Sequence, residues 1–391
     1  MEDQNHPIQR FVYLDSARGL AAMSVIIWHF IAGFYILMNN PFFLNSPLHF
    51  FWYGEADVIF FFVHSGFILT YAYAGWKSKI TIGNYTRFLI ERVFRIYPLF
   101  VFVLLLSYAL QKEIYPLQNE NVVTEQFYSF WKGHFDLRML VRNAVLVFSV
   151  NQDSFGLIPQ DWTLAIEVIV GPFVPFLAFL LKRKKLFWFY WIIIFVAIFI
   201  LKINTYLFEF GLGVFIFYNW QRISSIWGSI HLSMRILILI SAISLYTCFF
   251  HFCSMFNASN VWIRPGIDRF IVAIGCGLFF CIIISSHKAQ KIMSYPLLVK
   301  IGKACYSLYL WHMIFLICVA NFFMPWLHHV VLISPVWALV IYFILYMIAN
   351  LFLSQLTYRF IEIPFNMLGK RIGRSLESIL SPLRISGKKT L

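Results

Sequence analysis

The sequence predicts an all-α integral membrane protein of about ten transmembrane helices with both termini in the cytoplasm, and three observations predict it. Its 391 residues are 61% hydrophobic and only 12% charged, with a mean hydropathy of +0.75, too apolar for a soluble domain. Apolar runs long enough to cross a bilayer recur along the whole chain. The positive charges between these runs alternate in density, as they do when loops alternate between two sides of a membrane.

Taken in order, the runs are 12–38, 51–74, 96–111, 160–181, 186–201, 203–220, 231–252, 268–286, 301–322 and 331–354. A further apolar stretch, 139–150, reads as a re-entrant or interfacial helix, because counting it as a span spoils the charge pattern. With the N-terminus inside, the inner segments hold 22 of the 31 Lys and Arg residues, among them Arg10, Lys77, Arg87, Arg92, Arg95, Lys182, Lys288, Lys303 and Arg359. This asymmetry accounts for most of the net charge of +14 and leaves little reason to invoke nucleic acid. The longest outer segment, about 112–159, carries Glu113, Glu120, Glu125, Asp136 and Asp153 with Trp131 and His134. A loop of that length is usually functional or covers something. The six cysteines form no CxxC pair, so neither a disulfide framework nor a metal site is expected. No cleavable signal is expected before the first span, whose apolar run is too long for a signal's core. The division expected is a transmembrane domain over 1–365 and a basic cytoplasmic tail over 366–391, in contact with anionic lipid.

The first span contains residues that a lipid-facing helix avoids. At 100° per residue, the eleven steps from Arg18 to His29 return to within about 20° of one direction, with Asp15 and Ala22 nearby. One stripe therefore carries Asp15, Arg18, Ala22 and His29. Ionisable groups in hydrocarbon cost at least ~2.5–3.5 kcal/mol each, so they are expected to face a protein interior and mark function. Arg92 and Arg95 are i, i+3 neighbours at the inner mouth of the third span. Their paired guanidinium forks suit a polyphosphate, although plain flanking charge is the alternative. Glu167 follows Trp162 by five residues and would lie ~10 Å below the outer surface, a depth comparable with that of His29. A carboxylate there could orient a histidine tautomer, and pairing with an arginine or a backbone group is the alternative. His64, His312, Glu209 and the pair Asp268/Arg269 also read as interhelical hydrogen-bond partners. No phosphate-binding loop, zinc-ligand spacing or nucleophile elbow is present in the sequence.

In order along nearly the whole chain, the segments from Leu14 to Ala22 and on to His29, Phe61-Phe62-Val63-His64-Ser65-Gly66-Phe67, Arg92-Val93-Phe94-Arg95-Ile96-Tyr97-Pro98, Trp162-Thr163-Leu164-Ala165-Ile166-Glu167, Gly302 to His312, and Tyr358-Arg359-Phe360-Ile361-Glu362-Ile363-Pro364 resemble the motifs of acyltransferase family 3. These are bacterial membrane proteins that acylate extracytoplasmic sugars. The resemblance implies ten helices, a multi-pass protein of the bacterial inner (plasma) membrane, acetyl-CoA as the cytoplasmic donor, and a sugar hydroxyl of a glycan or lipid-linked oligosaccharide, such as O-antigen or exopolysaccharide, as acceptor. Carried onto this chain, it makes His29, with Glu167 and Asp15, the catalytic set. Arg18, Arg92, Arg95, Tyr97 and Lys303 become donor-binding residues, and Trp162, Ser65, His64 and His312 acceptor-binding residues. No metal is implied.

Two departures stand out: Ser16-Ala17 replaces a more usual Gly-Leu, and His64 stands where an aliphatic residue is common. The chain ends too soon for the esterase-like domain that many members carry, so the membrane domain itself is expected to acylate the acceptor. Whether His29 acts as general base or as acyl carrier stays open at this point, as does a homo-oligomeric state. The competing reading is a transporter or flippase of a lipid-linked sugar. It would want two matching halves with broken helices, a repeat the sequence lacks.

Overall fold

The computed structural model describes residues 11–76, 80–114, 124, 136–146, 156–197, 206–255, 267–330 and 335–380. Arg10, Lys77, Lys79, most of the outer segment 112–159 and residues 381–391 lie outside them. Every regular element among the described residues is helical. Five helices are long and apolar enough to cross a membrane, and seven if each of two sharply bent pairs counts as one span.

Helix α1 runs from Val12 to Gly33, five residues short of the predicted span. The cause is at its end: Phe34 turns extended (φ −122°, ψ 126°), while Thr124 caps the last carbonyls, its N–H on Gly33 (3.0 Å) and its hydroxyl on Ala32 (2.8 Å). Two short helical segments, Tyr35–Met38 and Pro41–Asn45, lead to α2, Gly54–Ala74. Helix α3, Ile82–Ile114, begins well before the predicted 96. Thr81 and Asn84 cap its start reciprocally, Thr81 N–H to Asn84 Oδ1 at 2.9 Å and Asn84 N–H to Thr81 Oγ1 at 3.2 Å, so the helix is nucleated ahead of the apolar stretch. Its 33 residues span about 50 Å against a hydrocarbon core of ~30 Å, and the charged first turns need not enter lipid.

The stretch read as interfacial holds the short helix α4, Leu137–Ala144, capped by Asp136. Helices α5, Asp161–Val170, and α6, Val174–Leu181, are joined by one 3-10 turn; Pro172 and Pro175 remove N–H donors there. Then come α7, Lys184–Phe195; α8, Leu207–Ser229; α9, Leu232–Met255; and α10, Ile267–Ser285. Helix α10 bends by 89° into the short α11, His287–Met293. The next pair, α12 (Pro296–Lys303) and α13 (Cys305–Val330), bends by 69°. Helix α14, Pro335–Thr357, passes through a π-turn at Tyr358–Glu362 into α15, Ile363–Leu380. Residues 366–380, read from the sequence as the start of a tail, are thus helical and lie along α3. Arg87 there pairs with Glu377 at 3.0 Å, and Gly369 and Gly373 let α15 settle on Phe94 and Arg87.

Helix α1 is central, and its sequence shows why. Three faces of small or aliphatic residues enter three different buried clusters: Ala22, Ile26 and Phe30 join α3, α13 and α14; Leu14, Ala17 and Ala21 join α2, α8 and α10; Val25 joins α2, α5 and α6. A helix that buries apolar residues on three faces belongs inside a bundle. Gly19 and Gly302 bring α1 and α12 into backbone contact, a Cβ on Gly19 falling 2.7 Å from the Gly302 Cα. Gly66 and Gly213 do the same between α2 and α8, the close approach that small residues permit between membrane helices.

Candidate active site

Three arginines from two helices meet near the start of α1. Arg92 Nη2 donates to the Glu167 carbonyl at 3.0 Å and to its Oε1 at 3.3 Å, and its guanidinium lies over the Phe88 ring at 5.7 Å. Glycine at 171 makes room for it, since a Cβ would stand 2.5 Å from Nη2. Arg95, one turn on, is solvent-exposed and yet within electrostatic reach of Arg18, Glu167, Glu362 and Asp15. This exposed guanidinium, ringed by charged groups from α1, α5 and the π-turn, marks a crevice at the surface of the bundle. Glu362 is buried and accepts from the Ser307 N–H at 3.0 Å and from the Ser307 hydroxyl.

From this cluster a narrow cavity of about 50 Å3 runs into the bundle between Arg18, Ser65, Thr163, Glu167, Cys305 and Tyr309, with Phe61 and Phe62 on its apolar side. Thr163 Oγ1 and Tyr309 Oη hydrogen-bond at 2.8 Å across it. One turn beyond Tyr309 lies His312, fully buried, its ring centroid 5.0 Å from that of His29.

The two imidazoles are fixed by backbone. His29 Nδ1 bonds the Val25 carbonyl at 2.9 Å, and His312 Nδ1 bonds that of Tyr309 at 2.5 Å. A carbonyl only accepts, so each Nδ1 carries the proton and each Nε2 the lone pair. Gln160 Nε2 donates to the Tyr309 and Leu310 carbonyls at 3.1 and 3.0 Å, which ties the start of α5 to this turn of α13.

The predicted residues divide accordingly. Glu167 was expected beside His29, but its ion pair is with Arg92 and it lies among Arg18, Arg92 and Arg95. The physical reason is positional: Gln160 and Thr163, not Glu167, reach the level of Tyr309, and seven residues of helix carry Glu167 ~10 Å away. The carboxylate that was to orient His29 is replaced by its own helix, through Val25. Asp15 stays with Arg18 and Arg95. Ser65 lines the cavity. His64, its chain neighbour, points the other way, buried against Phe60 and Phe280 and bonded to the Leu14 backbone. Trp162 is half-buried against Tyr206 at 6.3 Å. Tyr97 packs on Phe100 at 6.3 Å, and Lys303 is exposed at the end of α12 beside the Asp15 turn. Among the described residues, no group of His, Cys, Asp and Glu could hold a metal ion.

Sequence reasoning gave no role to Gln160, Thr163, Tyr309 or Glu362. Thr163, Tyr309 and Glu362 lie inside the motif segments singled out and Gln160 two residues before one, and a glutamine or glutamate in an apolar run is itself a signal.

A model of a protein family described as an acyltransferase domain matches residues 11–359. Among curated proteins, three provisionally named O-acetyltransferases of Staphylococcus aureus, from strains COL, MSSA476 and MRSA252, are each 25% identical over 382 residues, covering 91% of this chain and 57% of theirs. The chain thus spans less than two thirds of the length of these relatives. No solved structure matches it significantly.

Proposed function

The chain belongs to the acyltransferase-domain family, and from that premise we propose that it transfers an acetyl group from cytoplasmic acetyl-CoA to a sugar hydroxyl of a glycan on the far side of a bacterial plasma membrane. The donor's phosphates bind at the crevice of Arg95, with Arg92 and Arg18 behind it and Lys303 at the rim, because guanidinium forks match phosphate oxygens. The pantetheine arm follows the cavity past Ser65 towards Thr163 and Tyr309, bringing the thioester to the level of the histidine pair.

His29 Nε2 then removes the proton from the acceptor hydroxyl. The hydroxyl oxygen attacks the thioester carbonyl carbon, the C–S bond breaks, and the leaving thiolate recovers the proton from the imidazolium. Atoms and charge balance with no other reactant. The tautomer fixed by Val25 carries this reading, since it leaves Nε2 free as a base on a half-buried helix face. The Arg92–Glu167 pair holds the donor end and supplies no proton.

Two measurements test this. Acetyl-CoA or CoA should raise the unfolding temperature of the purified protein, and Arg92→Ala with Arg95→Ala should remove that rise. His29→Ala should keep the rise while lowering transfer by about 10²–10⁴-fold, the usual worth of a positioned general base. Transfer undiminished in a folded His29→Ala variant would overturn the assignment. An acetyl group trapped on His29 would make it an acyl carrier instead.

A further inference from the structure

We infer that Glu55, Arg269, Tyr206 and Trp162 form the binding site for the acceptor's pyranose ring, an inference that rests on the transfer reading above. These four residues come from four separate parts of the chain: the first turn of α2, the start of α10, the residue before α8, and the start of α5. They meet where α2, α5, α8 and α10 all begin, at the end away from the basic segments that precede α3 and follow α10.

The geometry is that of a sugar site with its ligand-facing groups unspent. Arg269 is 20% exposed and lies 3.5 Å through Nε from Glu55 Oε1, a long ion pair; the Glu55 side chain is 44% exposed. Its Nη1 donates to the Tyr206 hydroxyl at 3.0 Å, and its guanidinium lies over the same ring at 5.5 Å. This leaves guanidinium N–H donors uncommitted, because the group has five. Tyr206 and Trp162 face each other at 6.3 Å and 44°, and both are half-buried. The Trp162 indole N–H makes no hydrogen bond among the described residues.

A second, independent observation points the same way. Glu209, one turn into α8, is 3% exposed, lies within electrostatic reach of Arg269, and its Oε2 has no hydrogen-bond partner among the described residues. A buried carboxylate oxygen left unpaired is costly in a protein that gains nothing from it. A vicinal diol fits the groups that face outward: a hydroxyl proton for Glu55, lone pairs for Arg269 and the indole N–H, and an apolar C–H face for the aromatic rings, with buried Glu209 within electrostatic reach of the Arg269 charge.

Position favours this over an aromatic belt at the lipid surface, the common use of Trp and Tyr at such depths. Tyr206 packs on Phe62 at 5.3 Å, and Phe62 is a wall of the donor cavity. Trp162 directly precedes Thr163, which bonds Tyr309 inside that cavity. A ring held on Trp162 and Tyr206 therefore sits next to the place where a cytoplasmic thioester would arrive.

The test uses the whole protein in nanodiscs, acetyl-CoA as donor, and as acceptor probe the surface polysaccharide from a strain deleted for this gene. Acetate incorporation is followed against polysaccharide concentration, and the thermal shift given by CoA is recorded for each variant. Arg269→Ala and Tyr206→Ala are expected to raise the half-saturating polysaccharide concentration by about tenfold or more, the equivalent of one lost hydrogen bond to a charged group. The milder Trp162→Phe and Glu55→Gln should raise it less, and all four should keep the CoA shift and, at saturating polysaccharide, most of the turnover. Unchanged half-saturation in all four variants would overturn the site. Loss of the CoA shift in the milder pair would also overturn it, marking the cluster as a brace of the fold. Wild-type protein that binds CoA without acetylating the polysaccharide would overturn this acceptor site and leave the donor half of the proposed function standing. Wild-type protein with no CoA shift would bring down the function itself.

Discussion

His29 needs no carboxylate partner because an α-helix supplies one acceptor per residue. Its Nδ1 reaches the carbonyl four residues back, on Val25, at 2.9 Å, and the tautomer follows from that bond. Glu167 is thereby released for the arginines, where Arg92 is 11% exposed and its charge requires an anion nearby. Glu167→Gln should consequently impair CoA binding rather than proton transfer: the CoA-dependent thermal shift falls, while the pH profile of residual transfer keeps the wild-type shape. A changed profile with an intact shift would return Glu167 to His29. At the other end of the cluster, Ser307→Ala removes the hydroxyl donated to buried Glu362 and should cost about 1–2 kcal/mol in chemical unfolding. Asp15, Arg18, His29 and Glu167 were legible in the sequence as ionisable groups in apolar runs, whereas Gln160, Thr163 and Tyr309 carry no such mark. Partners were not legible, because the partner of Arg92 is 75 residues away and that of Ser307 is 55.

Elements here meet through glycine as much as through apolar bulk. Gly302 backs on the Asp15 carbonyl and Gly19 on Gly302, so the stripe of α1 is pinned to the turn that carries Lys303 and Cys305. Gly302→Ala should destabilise by about 1–3 kcal/mol, as overpacking does, and lower the CoA shift because Arg18 moves with α1. Helix α15 offers a milder case. The Arg87–Glu377 pair is 35% and 30% exposed, which holds its contribution to at most ~1 kcal/mol. Glu377→Arg should therefore cost little in chemical unfolding, since Arg87 keeps its second partner, Glu91 Oε1 at 2.8 Å. Helix existence was readable for nearly every element from apolar runs, whereas several ends were not. Thr124 fixes the end of α1 from a distant segment, and the Thr81–Asn84 cap starts α3 among charged residues that a hydropathy window discounts.

At the scale of the molecule, α1 is the shared wall of three buried clusters, and the arginine crevice, the cavity and the histidine pair follow its length. Tags at the N- and C-termini should both be reached by a probe confined to the cytoplasm in intact cells, as the charge asymmetry requires. A tag protected at one end only would mean an odd number of spans. Truncation after residue 365 removes the helix that covers α3 and should abolish stable accumulation in the membrane, judged by gel filtration in detergent.

The sequence by itself determined the class of protein, the helices and the ionisable residues of the site, because membrane insertion and helix formation are local: each run of twenty residues meets lipid with its own composition. It also marked α1 as the odd helix, by the burial cost of Asp15, Arg18 and His29. Only the tertiary structure decided which groups face one another. It gave Glu167 to the arginines, joined His312 to His29 through a bend at Ala304, and turned His64 away from the cavity that Ser65 lines. Those outcomes depend on helix rotation and depth, which are set by packing between segments far apart in the chain.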